Sequence, residues 1–384
     1  MYFAVLGKNP EISMAELQLV QAKEISYPKK GIVIFDTKYS ELLPQLGWII
    51  KAGTVVKEKE LQELLADVKI IGIQNEANGK HLKRTVGIRR YKLVDIFHTD
   101  REIKNKGKEI INLENGLYGI VEQYQNIELY EAVDFGKPWR SMQMGMMPAK
   151  LAHMMINIWL AHFIHHSKLD IEKLCIYDPF VWSWTTGMLA NYLWYDFLGS
   201  DIKTNYADQN AIRRKTTKFY MPDKQFDIFK HDITTPFWNI WQKIGWQIWQ
   251  KSDIHNKDNR TYSSDSSALS SIFSALSSDF SDILVVTEGR LGPIVKKSTS
   301  DQDIQKFQER VVELYKSLLD RIKELWAVAV FTIPRYLWQD NGIEKILTKY
   351  GANIGLKIQS IPELYSREGQ QVARKIMIIK LRDK

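Results

Sequence analysis

The chain has 384 residues, enough for two or three domains, and its 45% hydrophobic and 26% charged residues are typical of a globular protein. Its net charge of +8 favours a polyanionic partner such as nucleic acid. A single cysteine excludes an internal disulfide and a multi-cysteine zinc site, and without a signal peptide or a membrane-length apolar segment we expect a cytoplasmic protein with no membrane contact.

The N-terminal elements follow from the spacing of apolar residues. Residues Met1–Leu6 and Gly31–Phe35 are predicted strands, and Ser13–Ala22 between them is a predicted helix that Ser13 caps. Leu61–Ala66 predicts a second helix, and residues 101–130 predict a further helix followed by strands. These elements form the predicted N-terminal domain, residues 1–135.

A basic segment lies within this domain. Residues 80–92, KHLKRTVGIRRYK, contain six Lys or Arg and no carboxylate. Basic and apolar residues alternate, which favours a strand with one face in the core and the other toward phosphate. The alternative is a solvated edge strand whose charges prevent aggregation. The candidate RNA contacts are Lys80, Lys83, Arg84, Arg89, Arg90 and Lys92.

After a junction near residue 136, Pro148 opens a long predicted helix, Ala149–His166. His162 and His166 in it have the spacing of metal ligands on one helix face, but no nearby carboxylate or cysteine completes a site. We therefore expect no metal.

From Leu174 onward, strands and helices alternate, which predicts a doubly wound, mostly parallel α/β sheet in a second domain, residues 136–384. The predicted strands are Leu174–Tyr177, Phe197–Asp201, Asp282–Thr287, Ala327–Thr332, one near Lys357, and Lys375–Lys380. Residues 238–282, rich in tryptophan and then serine, interrupt the alternation. They are either an aromatic stripe for a membrane or partner, or a flexible insertion.

The segment Asp178–Thr185, DPFVWSWT, joins a strand to a helix. In an α/β enzyme such a turn brings backbone close to a bound nucleoside, and glycine permits both the approach and a positive φ. Here Trp182 and Trp184 stand at the glycine positions.

Composition suggests an explanation for these tryptophans. Glycine is scarce, at 21 residues, whereas tryptophan, at 12, exceeds proline, at 11. Trp48, Trp194 and Trp338 also stand where glycine would be ordinary. One hypothesis is that the gene's code reads UGA as glycine; the alternative is a tryptophan-rich protein whose site has decayed.

Four segments carry a resemblance to known methyltransferases. DPFVWSWT resembles the D-P-F-x-G-S-G-T motif of class I S-adenosylmethionine (SAM) methyltransferases acting on nucleic-acid amino groups. The tRNA guanine-N2 methyltransferases that contain a THUMP domain have segments similar to three others: the N-terminal FAVLGKNPEISMAEL, residues 134–157 and the final LYSREGQQVARKIMIIK. The resemblance touches nearly the whole chain except residues 238–282. It implies an α/β, Rossmann-like class I methyltransferase domain with an N-terminal α+β THUMP-like RNA-binding domain.

The resemblance also implies roles for individual residues. The cofactor-binding candidates in the turn are Asp178, Phe180, Trp182, Ser183, Trp184 and Thr185. Asp201 at the end of the next strand suits the ribose hydroxyls of SAM, and Asp232 lies beside the adenine.

The target-base motif of the family, T-D-P-P-Y-G, aligns with residues 287–292, where Glu288 keeps a carboxylate. Since the stacking tyrosine is absent, Arg290 is the candidate to stack on the base in its place.

The sequence thus favours a SAM-dependent methyltransferase that forms N2-methylguanosine in tRNA. Two alternatives stay open: a non-catalytic RNA-binding homologue with a decayed cofactor site, and an amino-methyltransferase acting on ribosomal RNA or DNA.

Overall fold

The structure is a computed structural model that describes residues 1–137, 139, 147–164, 174–213, 226–236, 283–289, 299–325, 327–336, 342–366 and 371–380. It divides into two compact units. Unit 1 comprises Met1–Glu131 and Ile156–Ser167, and unit 2 comprises Ala132–Met155 and Lys168–Lys384. The predicted insertion at 238–282 lies outside the described residues.

Unit 1 contains an eight-stranded sheet in the order β2-β3-β1-β4-β8-β7-β5-β6. Its strands are β1 (Tyr2–Val5), β2 (Lys23–Lys29), β3 (Ile32–Asp36), β4 (Lys51–Lys57), β5 (Ile71–Ile73), β6 (Tyr91–Leu93), β7 (Lys108–Glu114) and β8 (Leu117–Tyr124). All pairings are antiparallel except those of β5 with β6 and β7. The helices are α1 (Pro10–Leu17), α2 (Glu58–Leu64), α3 (Glu76–Thr85) and α4 (Arg101–Lys106); α5 (Ile127–Phe135) and α6 (Ala149–Ile164) each cross the boundary between the units.

The predicted cap at Ser13 is wrong. Helix α1 begins three residues earlier, at Pro10, and Asn9 precedes it. Proline suits the first helical position because its fixed φ matches the helix and its missing N–H has no partner there anyway. The Ser13 hydroxyl, inside the helix, accepts a hydrogen bond from the Gly7 amide at 2.9 Å.

The predicted strand over residues 80–92 is also wrong for most of its length. Helix α3 covers Glu76–Thr85, and the Asn75 side chain caps it by accepting from the Asn78 amide at 2.9 Å. Leu82 and Val86, four residues apart, are both buried in one core cluster, which is a helical spacing. Only the last residues of the segment reach a strand, β6.

Unit 2 contains a seven-stranded sheet in the order β11-β10-β9-β12-β13-β15-β14. Its strands are β9 (Cys175–Asp178), β10 (Asp196–Asp201), β11 (Phe226–Lys230), β12 (Ile283–Glu288), β13 (Val328–Tyr336), β14 (Lys357–Tyr365) and β15 (Val372–Lys380). The strands pair in parallel except β15, which is antiparallel to both of its neighbours. This topology confirms the prediction of a doubly wound, Rossmann-like α/β domain.

Besides the end of α5 and the part of α6 up to Met155, the helices of unit 2 are α7 (Thr185–Tyr192), α8 (Asn205–Arg213), α9 (Asp301–Glu324) and α10 (Ile343–Ile354). The apolar face of α9 joins a core cluster with β12 and β13, in which Tyr315, Val285 and Phe331 are fully buried. Among the helices described, none is both long and apolar enough to cross a bilayer.

Candidate functional site

The strand order of unit 2 reverses at β9. From β9 the sheet runs outward through β10 and β11 on one side, and through β12 on the other. In an open α/β sheet the connections diverge at such a point and leave a crevice beyond the carboxyl ends of the strands. Asp178, Asp201 and Glu288 are the last residues of β9, β10 and β12, so the predicted acidic candidates end adjacent parallel strands.

Asp178 is buried, and protein donors hold its carboxylate. Oδ1 accepts from the Phe180 amide at 3.0 Å and from the Thr287 hydroxyl at 2.5 Å, while Oδ2 accepts from the Thr186 hydroxyl at 2.7 Å. Burial raises its pKa to about 6. Asp178 therefore ties the turn to the start of α7 and to the end of β12.

The turn after β9 has a backbone suited to glycine. Trp182 has φ +29° and Trp184 has φ +63°, both in the left-handed region that costs a residue with a Cβ roughly 1–2 kcal/mol. The turn is fixed to the sheet because the Val181 amide donates to the Ser200 carbonyl at 3.0 Å. The positive φ that the sequence predicts for a nucleoside-binding turn is thus present.

The two indoles have different surroundings. Trp184 is fully buried at 1% exposure, and its ring meets Phe197 edge-on with centroids 6.5 Å apart. Gly187 leaves room for this ring, since a Cβ there would lie 2.0 Å from Nε1 of Trp184. Trp182 is partly buried and packs on Tyr206, with ring centroids 4.8 Å apart. Both side chains therefore fill space beside the turn.

Trp194 occupies a third glycine-like position. It has φ +66° just after α7, where the Tyr195 amide donates to the Ala190 carbonyl at 2.9 Å. This bond and the left-handed residue form a Schellman motif, in which glycine is usual. Gly355 holds the equivalent place after α10 in this chain, with φ +90°.

We expect Trp194→Gly to raise the free energy of unfolding by about 1 kcal/mol, because glycine adopts this φ without strain and the indole is 51% exposed. Urea unfolding would measure the difference. Trp194→Ala is the matched control, since alanine also loses the indole but keeps the Cβ. Equal stability of the glycine and alanine variants would contradict the expectation.

At the other described tryptophans the backbone does not favour glycine. Trp48 and Trp159 are not among the residues with positive φ, and both are buried, Trp159 inside α6. Trp338 lies outside the described residues.

Asp201 has acceptor capacity left for a ligand. Its Oδ1 accepts from the Lys203 amide at 3.1 Å and its Oδ2 from the Trp182 amide at 3.3 Å. Burial raises its pKa. Each carboxylate oxygen has two lone pairs, so both can accept a further hydrogen bond.

Asp232 and Phe180 complete the described candidates near the turn. Asp232 follows β11 and is exposed, and its Oδ1 accepts from the amide and the hydroxyl of Thr234, at 2.9 and 2.7 Å. The Thr234 amide lowers the pKa of Asp232. Phe180 is partly buried and packs against the core cluster that contains Phe229, so its ring supports the turn.

Glu288 is held in a buried ion pair that the sequence did not indicate. Arg374 of β15 donates from Nε to Glu288 Oε1, and the two side chains are 3% and 6% exposed. The Arg374 guanidinium also lies over the Tyr365 ring, 5.7 Å from its centroid. Oε2 of Glu288 has no hydrogen-bond donor among the described residues. Arg290 lies outside the described part of the chain.

Lys137 is a second residue that the sequence alone did not single out. It is buried, at 4% exposure, and its Nζ donates to the Thr185 hydroxyl at 2.5 Å and to the Ser183 hydroxyl at 3.3 Å. The motif around residues 134–138 marks its position, but only the fold brings it to the turn.

The basic candidates of unit 1 divide into two groups. Lys80 pairs with Glu76 at 2.8 Å, and Lys92 pairs with Asp100 at 2.9 Å and with Glu102 at 3.0 Å. The other four are exposed and form no ion pair with another described residue: Lys83, Arg84, Arg89 and Arg90. The four therefore have their charge available to solvent.

The side chain of His162 and the whole of His166, the pair with metal-ligand spacing, lie outside the described residues. Within the described ranges, no group of three or more metal-ligating side chains converges.

No protein-family model and no curated protein sequence matches the chain. Solved structures with similar folds include the PH1948 protein of Pyrococcus horikoshii, named as an RNA methyltransferase (TM-score 0.36, 11% identity, 67% of this chain and 97% of that one). A second is the N-terminal domain of human METTL16 with SAH (TM-score 0.36, 13% identity, 70% of this chain and 87% of that one). A third is the magnesium protoporphyrin IX methyltransferase of Synechocystis PCC 6803 with SAH (TM-score 0.33, 10% identity, 66% of this chain and 95% of that one). With scores this low, the activity has to follow from this chain's own residues.

Proposed function

We propose that this chain is a SAM-dependent methyltransferase acting on RNA, and that it forms N2-methylguanosine in tRNA. The observation that carries the proposal is the arrangement at the strand-order reversal. There a glycine-like turn follows β9, and carboxylates end β10 and β12 beside it. A nucleoside cofactor and an amine substrate are the ligands that such a crevice suits.

The polar groups around the turn fit SAM. Asp201 retains lone pairs for the two ribose hydroxyls, because its described partners are backbone amides. Asp232, at the end of the next strand, is the candidate for the adenine amine. Ser183 and Thr185 bring hydroxyls to the turn, and Phe180 supports it. When bound, SAM supplies a methyl group on a positively charged sulfur, so the protein needs to orient the acceptor rather than activate the donor.

Glu288 is the residue that orients the acceptor. Its free Oε2 would accept a hydrogen bond from the exocyclic amine of guanine and so direct the nitrogen lone pair toward the methyl group. Arg374 fixes the rotamer of Glu288 through the buried ion pair. Positioning of this kind supplies most of what methyl transfer requires. We also propose that Arg290 stacks on the flipped base.

Residues 1–135 are the proposed RNA-binding region, THUMP-like by resemblance, and residues 136–384 the proposed catalytic domain. The exposed basic residues on and after α3 support this assignment, since exposed cations bind phosphate and confer salt dependence on RNA binding.

Changing the four free cations to glutamine is expected to weaken tRNA binding and to lower the slope of log affinity against log salt by roughly one unit for each phosphate that is no longer neutralised. The variant carries changes at Lys83, Arg84, Arg89 and Arg90. Filter binding over a salt series measures the slope. The matched control changes Lys80 and Lys92, whose charges are already paired with carboxylates. Their loss should change the slope less. A slope that is the same in the four-residue variant and the parent would contradict the RNA surface.

A second candidate function has one observation in its favour. Trp184 packs fully buried, with Gly187 making room for it, as expected of a genuine tryptophan. A protein with tryptophan at this position would keep the fold and RNA binding without binding SAM. The codons distinguish the two candidates, because UGG at positions 182 and 184 favours decay and UGA favours glycine.

Nucleoside analysis of tRNA from cells with and without the gene tests the proposed function. We expect N2-methylguanosine to be lost at one tRNA position without the gene. An unchanged tRNA with a missing methylated base in ribosomal RNA or DNA would instead assign the enzyme to that substrate. No change in any nucleic acid would favour the non-catalytic alternative.

A further inference from the structure

Lys137 is a buried cation without a carboxylate in contact. Of the described residues, only the hydroxyls of Ser183 and Thr185 accept hydrogen bonds from its Nζ, and no carboxylate lies within ion-pair distance of it. Burial lowers its pKa to about 8, an effect that the charge of Asp134 opposes. An ammonium group taken out of water is costly unless an anion joins it.

The groups around Lys137 are suited to receive such an anion. Ser183 Oγ and Thr185 Oγ1 lie 3.3 Å apart. A hydroxyl that accepts a hydrogen bond from Nζ still has its own proton to donate. One ammonium and two hydroxyls thus converge at the N-terminal end of α7, where the helix dipole also favours negative charge.

We propose that Lys137, Ser183 and Thr185 form the subsite for the α-carboxylate of the amino-acid part of SAM. This inference rests on the proposed function and assigns the subsite within it. Asp201 accepts a hydrogen bond from the Trp182 amide of the same turn and is the residue suited to the ribose. The carboxylate is the one anionic group of SAM, and the amino-acid end of the cofactor therefore extends toward Lys137.

The test compares SAM with decarboxylated SAM, which lacks only this carboxylate. Both are titrated calorimetrically into the full-length chain carrying Trp182→Gly and Trp184→Gly. We expect this parent to prefer SAM by about 10- to 100-fold, the range for hydrogen bonds to a charged group. Lys137→Met should abolish the preference, whereas Lys137→Arg should retain it. Lys349→Met, at an exposed position on α10, is the control and should leave the preference unchanged.

The preference is the ratio of the affinities for SAM and for decarboxylated SAM, measured on the same variant. A loss of affinity for both compounds therefore leaves the ratio unchanged and cannot be mistaken for the expected result. If Lys137→Met does not fold, the Ser183→Ala, Thr185→Val double variant replaces it and should reduce the preference. A parent without a preference, or a preference that survives the Lys137→Met change, would overturn the subsite while SAM binding still supports the proposed function. A parent that binds neither compound would overturn both.

Discussion

Replacing Glu288 by glutamine is expected to lower the rate of methyl transfer to RNA by about 100-fold or more, while the affinity for SAM stays the same. Glutamine is neutral, so its hydrogen bond to the guanine amine is weaker and its amide can present a donor instead of an acceptor. Single-turnover assays with labelled SAM, in the chain that carries Trp182→Gly and Trp184→Gly, measure the rate of the chemical step. Calorimetric titration of the same variant with SAM measures cofactor binding.

Two controls separate this effect from unfolding. Breaking a buried ion pair costs about 3–5 kcal/mol, because the buried Arg374 guanidinium would lose the opposite charge of Glu288. Thermal unfolding therefore has to show that the glutamine variant is folded at the assay temperature. Glu288→Asp keeps the charge and should retain more activity than Glu288→Gln. A glutamine variant as fast as the parent would show that Glu288 has only a structural role.

The second large effect is expected from Trp182→Gly together with Trp184→Gly, which should raise the affinity for SAM by at least about 100-fold, or ~2.7 kcal/mol. Two changes in the turn produce the gain. Glycine at both positions removes the Cβ atoms that strain the left-handed backbone, and the volume of two indoles, each with a surface of roughly 150–250 Å², becomes free beside the turn. Calorimetric titration of both forms of the chain gives the comparison.

Trp159→Gly is the matched control for this substitution. Trp159 is buried inside α6 and has no positive φ, and its loss should destabilise the protein by about 3–5 kcal/mol without raising SAM affinity. Equal affinity in the parent and in the double glycine variant would remove the steric argument at the turn. The same result would leave the tryptophans compatible with a genuine cofactor site.

The segment from β9 to β10 could be predicted from sequence because its signals are local. A short apolar run, a Pro-containing turn and an acidic strand end are read within residues 174–201, and the structure has the strand, turn, helix and strand in that order. The strained turn was predictable for the same reason, since a φ preference belongs to single residues such as Trp182 and Trp184.

The prediction from sequence failed where one pattern of apolar residues is compatible with both a strand and a helix. In residues 80–92 the apolar residues alternate only near the end, and the helical spacing of Leu82 and Val86 was the stronger signal. Strand β2 was missed because its seven residues have no buried face to create an alternation, and Ile25 and Tyr27 in it are exposed.

The partners of the site could not be predicted, because they come from distant parts of the chain. Arg374 lies 86 positions from Glu288, and Lys137 lies 46 positions from Ser183. The motifs that contain Arg374 and Lys137 were visible in the sequence. Which side chain each would contact depends on the strand order, and in particular on β15 lying next to β13.

The backbone conformation favours glycine at some of the tryptophan positions and not at others. Left-handed backbone at Trp182, Trp184 and Trp194 supports glycine at these three positions. The codon at each position tests the glycine hypothesis for that position alone. The same argument gives no support at Trp48, which the sequence had suggested as a glycine position.

Methyl transfer by the protein purified from its own cells tests the central claim most directly, because that protein carries whichever residues its cells place at 182 and 184. It is incubated with unmodified tRNA and SAM that has an isotopically labelled methyl group, and the RNA is digested to nucleosides. We expect the label in N2-methylguanosine. An RNA that stays unlabelled, while a known methyltransferase labels its own substrate in a parallel reaction under the same conditions, would contradict the proposed function.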